Sequence, residues 1–373
     1  MQIDKTRVAS IVEEVIRQYV RDSALDSKKP ELGIFPELDT AVEAAAVAQE
    51  TLSALPLEKR KEIIQSMRDF AIEHSQELAD FAVAETGMGR ASDKLQKNLL
   101  AARKTPGLED LESMVYTGDR GLTLVEMAPY GVIGSITPST NPAATVISNA
   151  IGMIAAGNAV VFHPHPGAKQ VSNRTVEILN QAVQKVGGPP NLLVSLADPT
   201  LQSGQYMMKH PGIKILVVTG GEEVVSLAMK SGKKVIAAGP GNPPVVVDET
   251  ADIKKAAADI IFGSSFDNNV LCTAEKEAFV VESVINDLRK FMKLSGGYEL
   301  TSHQLEQLTG EVVIPGGPGR SPRINKDFVG RSAQVIAKAI GIDVPSDVRL
   351  LFCETGIDHP LVQLEQLMPI LPI

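Results

Sequence analysis

Cys272 is one of two cysteines in 373 residues and stands in the run Ser265-Phe266-Asp267-Asn268-Asn269-Val270-Leu271-Cys272-Thr273-Ala274-Glu275-Lys276. Asp267, Asn268 and Asn269 are turn formers just ahead of the sulfur, and Glu277-Ala278-Phe279-Val280-Val281 behind it reads as the start of a strand. A thiol at such a junction meets ligands while a regular element holds it, which suits a nucleophile. The competing reading is a small buried hydrophobe, since Val270 and Leu271 precede it.

Three further segments carry polar groups at the ends of apolar runs. Gly131-Val132-Ile133-Gly134-Ser135-Ile136-Thr137-Pro138-Ser139-Thr140-Asn141-Pro142 passes from a strand through a loop into a helix. Ligands of open parallel sheets bind at such strand ends. Thr140 or Asn141 can donate to a developing oxyanion, with the nucleophile's own backbone N–H as second donor; a plain turn with a helix cap fits the segment equally well. Val217-Val218-Thr219-Gly220-Gly221-Glu222-Glu223 repeats the strand, glycine, helix order, and its helix N-terminus can face a pyrophosphate. Val160-Val161-Phe162-His163-Pro164-His165-Pro166 ends another strand with rings suited to a ribose or adenine. Two histidines without a third ligand read better as solvated loop residues than as a metal site. Val235 to Pro244, with Gly239-Pro240-Gly241-Asn242, holds no acidic side chain and places small backbone near the proposed nucleophile.

The pattern from 38 to 103 is helical, broken at Thr86-Gly87-Met88-Gly89. Beyond Gly121, strands predicted at 122–127, 131–136, 159–162, 192–195 and 213–218 alternate with helices at 143–156, 168–186 and 222–231. That alternation predicts an α/β fold with a doubly wound parallel sheet. A second α/β unit opens near Gly239, with strands at 244–247 and 278–282 and a helix at 251–262, while 314–330 reads as a flexible surface loop. The expected organisation is an amphipathic helix at 1–20, a linker at 21–35, a cofactor domain at 36–238 and a catalytic domain at 239–373. The first helix either packs on its own domain or, set off by a polar linker, serves as a docking peptide for a partner, the sharper of the two readings.

Composition bounds the partners. A 44% hydrophobic, 22% charged chain of net charge −9 is globular and acidic, which disfavours nucleic acid and anionic membranes. Two distant cysteines make no disulfide framework, no Cys-x-x-Cys or His-Glu-x-x-His pattern marks a metal, and no secretory signal is visible, so a cytoplasmic location is expected. The apolar stretch from Ala143 to Phe162 is broken by Ser148, Asn149 and Asn158, and reads as a buried helix entering a buried strand.

Across essentially its whole length the chain resembles the aldehyde dehydrogenase superfamily in its CoA-acylating branch, and is especially similar to the acetaldehyde and propionaldehyde dehydrogenases of bacterial microcompartments. The resemblance rests on Glu85-Thr86-Gly87-Met88-Gly89, Ile136 to Pro142, His163-Pro164-His165-Pro166, Val218-Thr219-Gly220-Gly221, Gly239 to Pro244, Asp267-Asn268-Asn269 leading to Cys272, and Glu365-Gln366-Leu367-Met368-Pro369. It implies that Cys272 attacks a short aliphatic aldehyde, that hydride passes to NAD, and that the thioester acylates coenzyme A. The superfamily's oxyanion asparagine falls on Thr140 when the prolines at 138 and 142 are aligned, with Asn141, the preferred donor, one place later. Ile136, Thr137, Pro138, His163, Pro164, Thr219, Gly220, Gly221 and Gly239 fall on cofactor-lining positions, and Glu365 on the glutamate that holds the nicotinamide ribose. NAD is expected over NADP because no arginine cluster adjoins His163, although Lys169 is near in sequence. The water-activating glutamate of hydrolytic members falls on Ala238, which favours a thiol acceptor over water. The resemblance further implies an encapsulation-like N-terminal helix that meets a shell or cargo protein inside a microcompartment, a homo-oligomer, and a chain truncated within its catalytic domain. The rival readings are a hydrolytic NAD-dependent aldehyde dehydrogenase and a catalytically incompetent cargo protein.

Overall fold

A computed structural model describes residues 32–317 and 321–373; the expected docking helix at 1–20 and most of the linker lie outside them. Ile34 and Phe35, assigned to that linker by their polar surroundings, instead form strand β1 (Ile34–Phe35), which pairs with a later strand and opens the folded body. Four helices follow, α1 (Leu38–Ala54), α2 (Leu57–Glu73), α3 (Ser75–Thr86) and α4 (Ala91–Lys104). Gly87 ends α3 in the left-handed conformation, φ 66°, as a helix-terminating glycine does.

Strands β2 (Met114–Gly118) and β3 (Gly121–Val125) make an antiparallel hairpin apart from the main sheet, exposed along both strands. The strand predicted at 122–127 therefore belongs to no parallel unit: Gly118-Asp119-Arg120-Gly121 turns the chain straight back, and two strands joined this tightly can only pair antiparallel.

The main sheet follows. Its elements are β4 (Val132–Thr137), α5 (Pro142–Ala155), β5 (Ala159–Pro164), α6 (Lys169–Lys185), β6 (Leu193–Leu196), α7 (Leu201–Lys209), β7 (Ile215–Thr219), α8 (Glu222–Met229) and β8 (Lys234–Ala238). Six strands, all parallel, lie in the order β1-β6-β5-β4-β7-β8. β4, β5 and β6 are buried at every position, which is why they read as unbroken apolar runs rather than alternating ones. α5 buries Val146, Ile147, Ala150, Ile151 and Ile154 against the sheet and its neighbouring helices. This packing accounts for its membrane-like hydropathy, and among the described residues no helix is long and apolar enough to cross a membrane. The chain builds outward from β4 to β5 and β6, then returns to the other side of β4 with β7. The carboxyl ends of β4 and β7 thus flank the crevice where strand order reverses.

The remaining residues form β9 (Pro244–Val247), α9 (Ile253–Ser265), β10 (Glu277–Val280), α10 (Ile285–Leu294), β11 (Gly297–Glu299), α11 (Ser302–Val312), β12 (Val313–Ile314), β13 (Arg323–Ile324), α12 (Ala333–Ala339), β14 (Leu350–Cys353), α13 (Pro360–Gln363) and β15 (Ile370–Pro372). β9 pairs parallel with β10, and β11-β14-β15 form a parallel three-stranded sheet, with apolar clusters separate from that of the first sheet. The described residues of the predicted surface loop at 314–330 include regular structure. β12 and β13 close it as a hairpin, and Lys326–Phe328 add a helical turn. Phe162 of β5, fully buried, is part of the first core. Phe162→Ala should lower stability by about 3–5 kcal/mol, read as a drop in the urea midpoint.

Candidate active site

α9 ends at Ser265, and the chain enters a tight turn, Phe266–Asn269, in which Asp267, Asn268 and Asn269 have φ of 50°, 52° and 61°. A left-handed residue other than glycine costs roughly 1–2 kcal/mol, so three in succession persist only where their side chains are held. Asp and Asn tolerate the region best because their short polar side chains bond locally. Each of the three is buried and tied down.

Asp267 Oδ1 accepts from the Arg90 amide at 2.7 Å, while Oδ2 accepts from Lys94 Nζ at 3.1 Å and from Lys97 Nζ; its own amide donates to Asp93 Oδ2 at 2.8 Å. Asp93 also faces Arg349 Nη2 at 3.6 Å. One buried carboxylate therefore joins the start of α4 to the turn. Asn268 Nδ2 donates to the Gly330 carbonyl at 2.8 Å, which also takes the Gly89 amide at 2.9 Å. Gly330, φ 71°, has no room for a side chain: a Cβ would stand 2.7 Å from Met88 Cβ and 3.0 Å from Val270 Cγ1. The far end of the presumed surface loop is thus a brace for the turn. Asn269 accepts from Lys276 Nζ at its carbonyl (2.9 Å) and at Oδ1 (2.6 Å), and its Nδ2 donates to the Glu275 carbonyl at 3.3 Å.

These bonds close the loop that carries Cys272. The Ala274 amide meets the Leu271 carbonyl at 3.3 Å, and Cys272 stands exposed inside that turn. Cys353, by contrast, is buried, and burial pushes its thiol up to about 12.

Across from the loop, Asn141 precedes α5. Its Nδ2 lies 3.2 Å from the Val270 carbonyl and 3.1 Å from Thr140 Oγ1, and its Oδ1 accepts from Lys97 Nζ. The Thr140 carbonyl accepts from Lys94 Nζ at 3.1 Å. Burial pulls the Lys97 ammonium down to about 8, Lys94 adding to the effect and Asp267 opposing it. Burial likewise pulls Lys276 down to about 8, against the opposing charges of Glu365, Cys272 and Glu275. Glu365 is raised by burial, and the pull of Lys276 and the Gly241 amide works the other way. Lys276, Cys272 and Glu365 thus share one electrostatic neighbourhood.

At the sheet crevice, Ile136 and Thr137 close β4, with Pro138 next, and Thr219-Gly220-Gly221 lead from β7 into α8. Thr137 Oγ1 is buried with no hydrogen-bond partner, and nothing stands within 4 Å of where a Gly221 Cβ would be. An unsatisfied hydroxyl and open backbone at a switch point fit a nucleotide. Gly239 lies beside Val225 of α8, so it borders the crevice; it is Pro243 whose carbonyl reaches the Cys272 loop, accepting from the Lys276 amide at 2.9 Å. Pro164 is buried at the end of β5. His163 is no solvated loop residue: it is buried, its Nε2 is 2.8 Å from Ser203 Oγ, and burial pulls it down to about 4. The reason is α7, whose Gly204 lies against the ring and whose Ser203, the capping-box partner of the N-cap Thr200, meets the imidazole.

The model of the aldehyde dehydrogenase family matches residues 34–295. This chain belongs to that family. It is 50% identical over 367 residues to the acetaldehyde dehydrogenase (acetylating) EutE of Salmonella typhimurium, covering 98% of this chain and 78% of that protein. It is 44% identical over 367 residues, with the same coverage, to the propanal dehydrogenase (CoA-propanoylating) of Citrobacter freundii. Among solved structures, a propionaldehyde dehydrogenase from the fucose utilisation bacterial microcompartment of Clostridium phytofermentans superposes with a TM-score of 0.88 at 48% identity, over 92% of this chain and 78% of that one. The propionaldehyde dehydrogenase of Rhodopseudomonas palustris, solved with bound CoA and an acylated cysteine, gives 0.88 at 45% identity over the same shares.

For this aldehyde dehydrogenase family member, sequence reasoning missed Asp93, Lys94, Lys97 and Lys276. The available signal was weak: Lys94 and Lys97, spaced i, i+3 on α4, occupy its buried side, where apolar residues are the rule.

Two outcomes follow from the geometry. A Cβ at Gly89 would overlap the Asp267 carboxylate, so Gly89→Ala should reduce aldehyde turnover at least about tenfold while circular dichroism shows the sheet intact. His163 is held below its ordinary 6.5, so the unfolded chain takes up this proton first as pH falls. Stability from this group is therefore complete above about 6.5 and is lost toward 4. The urea midpoint of His163→Gln should fall less than that of the wild type over this range.

Proposed function

We propose that this chain is a CoA-acylating aldehyde dehydrogenase that converts a short aliphatic aldehyde, acetaldehyde or propionaldehyde, with NAD and coenzyme A to the acyl-CoA and NADH. The observation that carries the reading is the exposed Cys272 on a rigidly braced loop, faced by the Asn141 amide across from it.

The chain's own residues divide the work. Cys272 Sγ forms the bond to the aldehyde carbon, and the oxygen that gains the electron pair sits toward the Asn141 Nδ2 donor, with the Cys272 amide as second donor. NAD, when bound, accepts the hydride. Thr137, Pro138, Thr219, Gly220, Gly221 and Gly239 would hold it at the crevice, and Glu365, with Lys276 behind it, would hold its ribose. His163 offers the adenosine a neutral, already bonded ring. The acyl group then rests on Cys272 until the thiol of coenzyme A attacks the thioester carbon and the Cys272 sulfur leaves with the electron pair. Ala238 stands where hydrolytic members carry their base, and an alanine cannot take a proton from water, which disfavours release of the free acid. The hydrogen-bonded brace around Cys272 disfavours a non-catalytic cargo role.

The same reading assigns residues 36–238 to cofactor binding and 239–373 to catalysis. It gives residues 1–20 a docking role toward a shell or cargo protein of a microcompartment, and the assembled enzyme a homo-oligomeric state.

NADH formation should require acetaldehyde or propionaldehyde, NAD and coenzyme A together, and should vanish in Cys272→Ala. Turnover undiminished without coenzyme A would establish the hydrolytic reading instead.

A further inference from the structure

The Asn141 amide has two ends of nearly equal size, and only one can stabilise an oxyanion. Lys97 Nζ, a group that donates and cannot accept while protonated, bonds Oδ1, and Nδ2 is thereby directed at Val270, two residues before Cys272. We infer that Lys97 is a positioning residue which fixes the Asn141 amide with its N–H bonds toward the reacting carbonyl. The inference rests on the assignment of Asn141 as oxyanion donor.

The contacts of Nδ2 explain why a second anchor is needed. At rest Nδ2 is also oriented by the Val270 carbonyl, 3.2 Å away, and by Thr140 Oγ1 at 3.1 Å. When Nδ2 turns its hydrogens to an oxyanion those bonds weaken, and Lys97 on Oδ1 is what still resists a flip. A cation on the amide oxygen also polarises the amide, which strengthens its N–H donors.

Lys97 is itself immobile. It is 7% exposed, its ammonium bonds Asp267 Oδ2, and Lys94 shares that oxygen at 3.1 Å from the preceding turn of the helix. The charge at Asp267 thus serves both sides of the site, through its backbone for the Cys272 loop and through Lys97 for Asn141. Because Lys94 also pairs with Asp267, Lys97→Met leaves that carboxylate with a cation.

The test uses reactions of Cys272 that need neither NAD nor coenzyme A. p-Nitrophenyl acetate acylates a thiol through a tetrahedral oxyanion and expels p-nitrophenolate; iodoacetamide alkylates it by displacing iodide, with no oxyanion. Single-turnover rates of both are measured for wild type, Lys97→Met, Asn141→Ala and the double variant. The expected result is acylation slowed about 10- to 100-fold in each single variant, the double variant no slower than Asn141→Ala alone, and alkylation within about twofold of wild type throughout. Three results overturn the inference: wild-type acylation in Lys97→Met, losses that multiply in the double variant, or alkylation slowed in step with acylation, which also marks a loop that has lost its fold. If instead Asn141→Ala acylates normally, the oxyanion assignment itself fails. CoA-dependent NADH formation by the wild type, assayed separately, decides the overall reaction whatever these rates show.

Discussion

A carboxylate removed from solvent, Asp267, is the constraint on which the site depends. It is 0% exposed, and a charge so placed is tolerable only where cations and N–H donors surround it. Lys94, Lys97 and the Arg90 amide supply them, all from α4 or the residue that precedes it. Removing one partner of a buried pair costs about 3–5 kcal/mol, comparable to what three left-handed residues demand. The cluster can therefore hold the backbone ahead of Cys272 in a conformation that the chain would otherwise leave.

The two parts of the structure meet through this arrangement. The parallel sheet contributes Asn141 and the crevice between β4 and β7; the smaller sheets contribute the turn at 266–269, Lys276 and Glu365. Cys272 is exposed, while the side chains of Asp267, Asn268 and Asn269 in the preceding turn are buried. A nucleophile on a mobile loop would lose orientation, and orientation is a large part of what an enzyme supplies.

The sheet was legible because burial on both faces turns β4, β5 and β6 into apolar runs, and because glycines and prolines punctuate them. Cys272, Asn141 and the paired glycines after β7 stood out as residue types at strand and loop ends, whereas Glu365 entered only through the family resemblance. The environment of His163 was not, since a helix 40 residues later supplies Ser203. Nor were Lys94 and Lys97, whose carboxylate partner Asp267 lies some 170 residues further along the chain. The segment 314–330 misled because glycine and proline content signals a turn but says nothing of Gly330, whose missing side chain lets Met88 and Val270 approach. Long-range pairing of charges and close backbone contacts leave little trace in local pattern.

The most direct test of this dependence is hydrogen–deuterium exchange, with turnover in parallel, on the wild type and Asp267→Asn. The substitution keeps shape and removes the charge that α4 is built around. The account predicts faster exchange in both 88–104 and 265–276, unchanged protection in β4 and β5, and loss of aldehyde turnover. Wild-type protection in those two segments together with wild-type turnover would contradict it.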